Sequence, residues 1–180
     1  MLTAEPLLTK ILVAFATRFG STREIASAIT AELISEGFDA HPAEATSALN
    51  PDDYDAFVIG SPLYGSKWMS AAGMFAAITS ERINGKPVAL FSVGTLGVDS
   101  PDAGRTEHQE FITQLKEVAP KLNVVADDVF TGYFERSNLP WYLRIIDRFA
   151  PTLQGDHRDW AAIHAWANSV ASKFKGSTNE

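Results

Sequence analysis

Short apolar runs alternate with helical patterns along this chain, and that alternation leaves few folds open. The runs are Ile11–Ala16, a weak one near Phe38–Pro42, then Ala56–Gly60, Val88–Val93 and Val124–Thr131. Thr22–Glu36, Met69–Glu81, Thr106–Val118 and Asp159–Phe174 carry apolar residues at helical spacing. Strand, helix and next strand close as a right-handed crossover, which makes the sheet parallel and covers both its faces. The third, fourth and fifth runs are almost wholly apolar, as strands buried on both faces require. The expected fold is therefore α/β, a doubly wound parallel sheet of five strands in the order 2-1-3-4-5. Ligands of such sheets sit beyond the carboxyl ends of the strands that flank the switch point, here the first and third.

At 180 residues and 46% hydrophobic, the chain is expected to form one globular domain with room for a core. Residues 1–9 read as an N-terminal extension, 134–155 as an aromatic insertion before the last helix, and 175–180 as a tail. A net charge of -7 disfavours a nucleic-acid partner. The chain has no cysteine, which removes disulfides, thiolate nucleophiles and cysteine-ligated metals. Any redox chemistry must then come from a bound cofactor. No stretch approaches the roughly 20 apolar residues needed to span a bilayer, and Met1–Lys10 does not read as a signal peptide. The expected location is the cytoplasm.

The loops after the first, third and fourth runs are the specialised ones. Thr17-Arg18-Phe19-Gly20-Ser21-Thr22 joins a strand to a helix start. Free N–H groups and the helix dipole favour an anion there. Gly20 permits a sharp turn and close approach, and Thr17, Ser21 and Thr22 add hydroxyls. The loop lacks the Lys of a Walker sequence and the three spaced glycines of a dinucleotide fingerprint. One terminal phosphate, as in FMN, suits it better. After the third run, Ser61-Pro62-Leu63-Tyr64-Gly65 leads into Ser66, Lys67 and Trp68. After the fourth comes Gly94-Thr95-Leu96-Gly97. Both offer amides and apolar surface of the kind a planar isoalloxazine ring needs. The alternative for each loop alone is ordinary turn chemistry, with Tyr64 and Trp68 simply packing.

Thr17–Thr22 resembles the phosphate loop of flavodoxins, with Phe19 where that family usually has Thr. Ala16–Ala26 is similar to the start of the flavodoxin-fold, menaquinone-dependent protoporphyrinogen oxidases, and Val58–Ser61 with Tyr64-Gly65 to their second flavin loop. Ser92–Thr95 does not match them closely, and Gln154–His157 is short for them. The resemblance implies an FMN-binding oxidoreductase acting on a porphyrinogen or a quinone. It assigns the phosphate to Thr17, Arg18, Phe19, Gly20, Ser21 and Thr22. It assigns the ring to Ser61, Pro62, Leu63, Tyr64 and Gly65, and to Gly94, Thr95, Leu96 and Gly97. No catalytic side chain and no metal are implied.

Ser137–Phe149 has Leu139, Tyr142, Leu143, Ile146 and Phe149 on one helical face. It reads either as a helix folded over the sheet edge or as a docking surface, around Trp141, for a quinone, a porphyrinogen or a membrane. The four histidines lack metal-ligand spacing and read as solvated, as do Asp127 and Asp128. Asp156 and Asp159 read as the N-cap and first-turn acids of the last helix. A competing function is a flavodoxin-type electron carrier acting on redox protein partners. Arg18, Arg23, Lys67, Arg136 and Arg144 speak instead for an anionic small substrate.

Overall fold

The computed structural model describes residues 9–46, 48–94, 100–135 and 155–177. Along the chain run β1 (Lys10–Phe15), α1 (Ser21–Ser35), β2 (Asp39–Glu44), β3 (Ala56–Pro62), α2 (Ser70–Arg82) and β4 (Pro87–Gly94). They are followed by α3 (Pro101–Val118), β5 (Asn123–Thr131), β6 (Tyr133–Phe134), β7 (Gly155–Asp156) and α4 (Trp160–Ser177). The first five strands form one parallel sheet in the order β2-β1-β3-β4-β5, as the alternation of elements predicts.

Successive strand residues point to opposite faces, so each strand supplies two cores. On one face Ile11, Val13 and Phe15 of β1 meet Ile25, Ile29 and Leu33 of α1 and Val170 and Phe174 of α4. On the other, Leu12 and Ala14 join Phe57, Ile59 and Leu90 beneath Phe75 of α2 and Phe111 and Leu115 of α3. Trp166 of α4 packs edge-on against Phe91 and Phe130 in the first core.

Three sequence expectations change. β5 is an edge strand of alternating exposure rather than a doubly buried one, because nothing in the sheet lies outside it. A register shift between Val88 and Ala89 leaves Val125 without a partner in the ladder. α3 begins at Pro101, well before the expected Thr106, because Ser100 caps it and Pro at the first helical position fits a helix start. The last helix runs on to Ser177, so the first three residues of the expected tail are helical.

β6 and β7 pair antiparallel. They bracket the aromatic segment Ser137–Phe149, which lies outside the described residues, as do Arg136 and Arg144. Arg158 braces this ribbon. Its guanidinium pairs with Glu24 of α1 at 2.6 Å and Asp156 at 2.7 Å, and lies over the Tyr133 and Trp160 rings. Asp156 is thus a strand residue bound to Arg158, not a helix cap. Asp159 is the cap of α4, its carboxylate accepting from the Ala162 N–H at 3.0 Å. Among the described residues no helix is long and apolar enough to cross a membrane.

Candidate functional site

The carboxyl ends of β1, β3 and β4 lie side by side, and backbone hydrogen bonds tie the loops that leave them. Ala16 N–H donates to the Gly60 carbonyl at 2.9 Å and Leu63 N–H to the Val93 carbonyl at 2.8 Å. Gly132 N–H, just past β5, donates to the Gly94 carbonyl at 3.2 Å.

In the first loop Gly20 is the N-cap of α1 with φ 94°, a left-handed conformation natural to glycine. A Cβ there would meet nothing within 4 Å, so the space beside the turn is open. Gly20 N–H is held by Thr17 Oγ1 at 3.0 Å. The first helical bond runs from Glu24 N–H to Gly20 O. The Ser21, Thr22 and Arg23 N–H groups precede that bond and have no acceptor among the described residues. Thr17 is half-buried, Arg18 and Phe19 are exposed, and Ser21 and Thr22 are buried. The Ser21 hydroxyl accepts the Tyr133 N–H at 2.9 Å, which leaves its own proton free to donate outward. Gly132 permits this approach, since a Cβ there would stand 2.9 Å from Val93 and 3.3 Å from Ser21 Oγ. Residues 132–133 therefore form a further wall of the first loop, one that no local motif announces.

The second loop is a tight hairpin. Leu63 bridges Trp68, Tyr64 N–H donates to the Lys67 carbonyl at 2.9 Å, and Gly65 and Ser66 both have φ of 56°, the pattern of a type I′ turn. Ser61 is fully buried and its hydroxyl is engaged, donating to the Pro62 carbonyl and accepting from Met69 N–H, both at 3.0 Å. Pro62 and Leu63 are buried too, so side-chain contact outward falls to Tyr64 and the Gly65 tip. Partial burial holds the Tyr64 phenol above the ordinary tyrosine value, with the Arg18 charge pulling the other way. That opposing pull places the first and second loops within electrostatic reach of each other. Of the third loop, Gly94 closes β4 and is buried; Thr95, Leu96 and Gly97 lie outside the described residues.

Beneath these loops runs a chain of polar contacts that the solvated reading of the histidines missed. His108 of α3 is only 2% exposed. Its Nδ1 lies 2.9 Å from Ser92 Oγ and its Nε2 3.1 Å from Asp127 Oδ2. Ser92 Oγ also accepts the Trp68 indole N–H at 2.8 Å, and that indole stacks on Phe111 at 4.3 Å. A carboxylate acceptor on Nε2 selects the tautomer with the proton there, so Nδ1 accepts from Ser92. The helical spacing of His108 with Phe111, Ile112 and Leu115 was the available signal that it faces inward.

His108 holds the Asp127 carboxyl below the usual carboxylate range, chiefly through this hydrogen bond. A carboxyl depressed in the folded state stabilises above its unfolded value and loses that contribution as pH falls through the folded one. Asp127→Asn should therefore be less stable than wild type at pH 7, with the gap closing as the medium is acidified below the carboxylate range. Urea melts across pH 7 to pH 2 would read this; a gap independent of pH would show that the charge of Asp127 contributes nothing.

Of the site cations expected from the sequence, Arg23 is paired with Glu44. Arg18 and Lys67 remain exposed at the loop edge. A cavity of about 190 Å³ opens beside Gly94, between the starts of α3 and α4, with Arg105 and Asp159 among its lining. It is smaller than the roughly 300 Å³ at which ligand pockets begin.

A five-stranded doubly wound sheet with a glycine-capped helix start at its switch point is the architecture of one large class of proteins. The chain belongs to the flavodoxin domain family, whose model matches residues 12–160. It is 37% identical over 173 residues to the protoporphyrinogen IX dehydrogenase [quinone] of Escherichia coli K12, covering 90% of this chain and 94% of that protein. A flavodoxin from Pseudomonas aeruginosa, in a cysteine-to-serine mutant form, shares the fold with a TM-score of 0.59 at 13% identity, over 93% of this chain and 99% of that one. A flavoprotein from Lactobacillus acidophilus, solved in complex with FMN, shares it with a TM-score of 0.50 at 17% identity, over 68% and 93%.

Proposed function

We propose that the protein is an FMN-dependent oxidoreductase that draws electrons from a reduced organic substrate of the porphyrinogen class and delivers them to a quinone. The observation that carries the cofactor is the start of α1. Three consecutive N–H groups lack acceptors among the described residues, beside an open left-handed glycine, which fits a phosphate monoester. Thr17–Thr22 would hold that phosphate, and the hairpin Ser61–Gly65 with Gly94–Gly97 would hold the ring. Bound FMN supplies the acceptance and release of an electron pair. The chain itself binds and orients the ring, and the neutral Tyr64 phenol offers it an apolar face with one polar end.

Substrate and acceptor are proposed from the relative, whose likeness extends along nine-tenths of the chain. Exposed Arg18 and Lys67 favour an anionic small molecule at this edge over the acidic rim of a pure electron carrier. The reading includes one domain over 1–180, with 134–155 as an aromatic insertion before the last helix. It also includes a cytoplasmic location, with peripheral docking to membrane or quinone through the Trp141 segment.

Purified protein should be yellow, with one FMN per chain and weak binding of FAD. Its flavin, once reduced by a porphyrinogen, should be reoxidised by menadione. A preparation that stays colourless after FMN addition would sink the cofactor. Tight FMN binding without turnover on porphyrinogen or quinone would favour the electron carrier.

A further inference from the structure

α3 grips the second loop at its tip and its base. Glu107 Oε1 accepts the Ser66 N–H at 2.9 Å, and Glu110 Oε2 accepts the Ser66 hydroxyl at 2.7 Å. One turn further on, Phe111 stacks with Trp68. Ser66, at φ 56°, occupies a region that residues with a Cβ enter at a cost. Two side chains of α3 therefore hold a turn that Ser66 alone would not prefer.

The two carboxylates differ in surroundings. Glu110 is exposed, whereas Glu107 is 8% exposed. The second oxygen of Glu107 lies 4.0 Å from where a Cβ of Gly94 would stand. Glu107 thus sits under the second loop and at the start of the third, the two loops assigned to the ring. Among the described residues no Lys or Arg pairs with it, and Ser66 N–H is its one hydrogen-bond donor.

We infer that Glu107 is a positioning residue that holds the ring loop and lowers the reduction potential of the flavin. The inference rests on the FMN reading. Oxidised FMN takes up two electrons and one proton to become the anionic hydroquinone, so the ring gains one negative charge. A carboxylate nearby, shielded from water, opposes that gain more strongly than a solvated one does.

The test is a spectroelectrochemical titration of the FMN-loaded protein, with dithionite as reductant and a dye of known potential. Glu107→Gln keeps the acceptor for Ser66 N–H and deletes the charge. Glu107→Asp keeps the charge, and Glu110→Gln alters the same turn from its exposed side. Glu107→Met is a second neutral variant of similar length, and either neutral form suffices. The neutral variants should bind reduced FMN relative to oxidised FMN about tenfold better than wild type does, which for a two-electron couple raises the midpoint by about 30 mV. Glu107→Asp and Glu110→Gln should stay near wild type, and the melting curve of apo Glu107→Gln, which keeps the acceptor, should nearly coincide with that of wild type.

A wild-type potential in both neutral variants would overturn the role of Glu107 and leave FMN binding standing. So would an equal shift in Glu110→Gln, since an exposed charge on the same turn would then matter as much as the shielded one. A wild-type protein that takes up no FMN would overturn this inference together with the reading beneath it.

Discussion

Gly20→Val should weaken FMN binding by about 100-fold or more, roughly 3 kcal/mol, while the sheet stays folded. The cause is backbone conformation before it is bulk. At φ 94° a β-branched residue is a pronounced outlier, and the left-handed region alone costs an L-residue about 1–2 kcal/mol. Open space around the glycine means the fold itself meets no clash. The turn can relax to a negative φ, but the Ser21, Thr22 and Arg23 N–H groups would then lose the arrangement proposed to hold the phosphate. Titration calorimetry with FMN checks the affinity, and circular dichroism checks that the fold persists. Gly20→Ala should fall between the two proteins. Wild-type affinity in the valine variant would mean that the phosphate sits elsewhere.

Gly60→Ala should be the most destabilising single-atom change at the site. Gly60 lies in β3, and a Cβ there would stand 2.0 Å from Phe91 Cζ of β4, whose ring lies across the glycine. Phe91 is fully buried and cannot swing into solvent. Overpacking of this kind typically costs about 3 kcal/mol, which lowers the melting temperature by roughly 6–12 °C in a chain of this size. Phe91→Ala alone should cost about 3–5 kcal/mol through the cavity it leaves. In that background the alanine at position 60 should cost under about 1 kcal/mol, a coupling of about 2 kcal/mol. Denaturant melts of the four proteins complete the cycle. Additive losses would show that the methyl group and the ring do not compete for the same space.

The layout of the sheet was legible in the chain because it depends on local periodicity. Apolar runs at Ile11–Ala16, Ala56–Gly60 and Val88–Val93 fall on β1, β3 and β4, and the spacing of Ile25, Ile29 and Leu33 falls on the buried face of α1. The loop Thr17–Thr22 was legible for the same reason, since a glycine and a capping position at a strand-to-helix junction are neighbours in sequence. The start of α3 was not read correctly, because periodicity pointed to Thr106 while the helix begins at Pro101 behind its Ser100 cap.

What the sequence by itself determined is therefore the elements, their crossover order and the glycine-capped helix start at the switch point. Tertiary structure decided the contacts between residues far apart in the chain. Only the assembled sheet brings Gly132 and Tyr133 to Ser21, closes Ser92, His108 and Asp127 into one network, and lays Glu107 under Ser66. In the sequence Glu107 and Glu110 look like any solvated pair on a helix, and Asp127 like an exposed acid. A side chain's burial and its distant partners depend on how the helices dock on the sheet, and no local pattern records that docking.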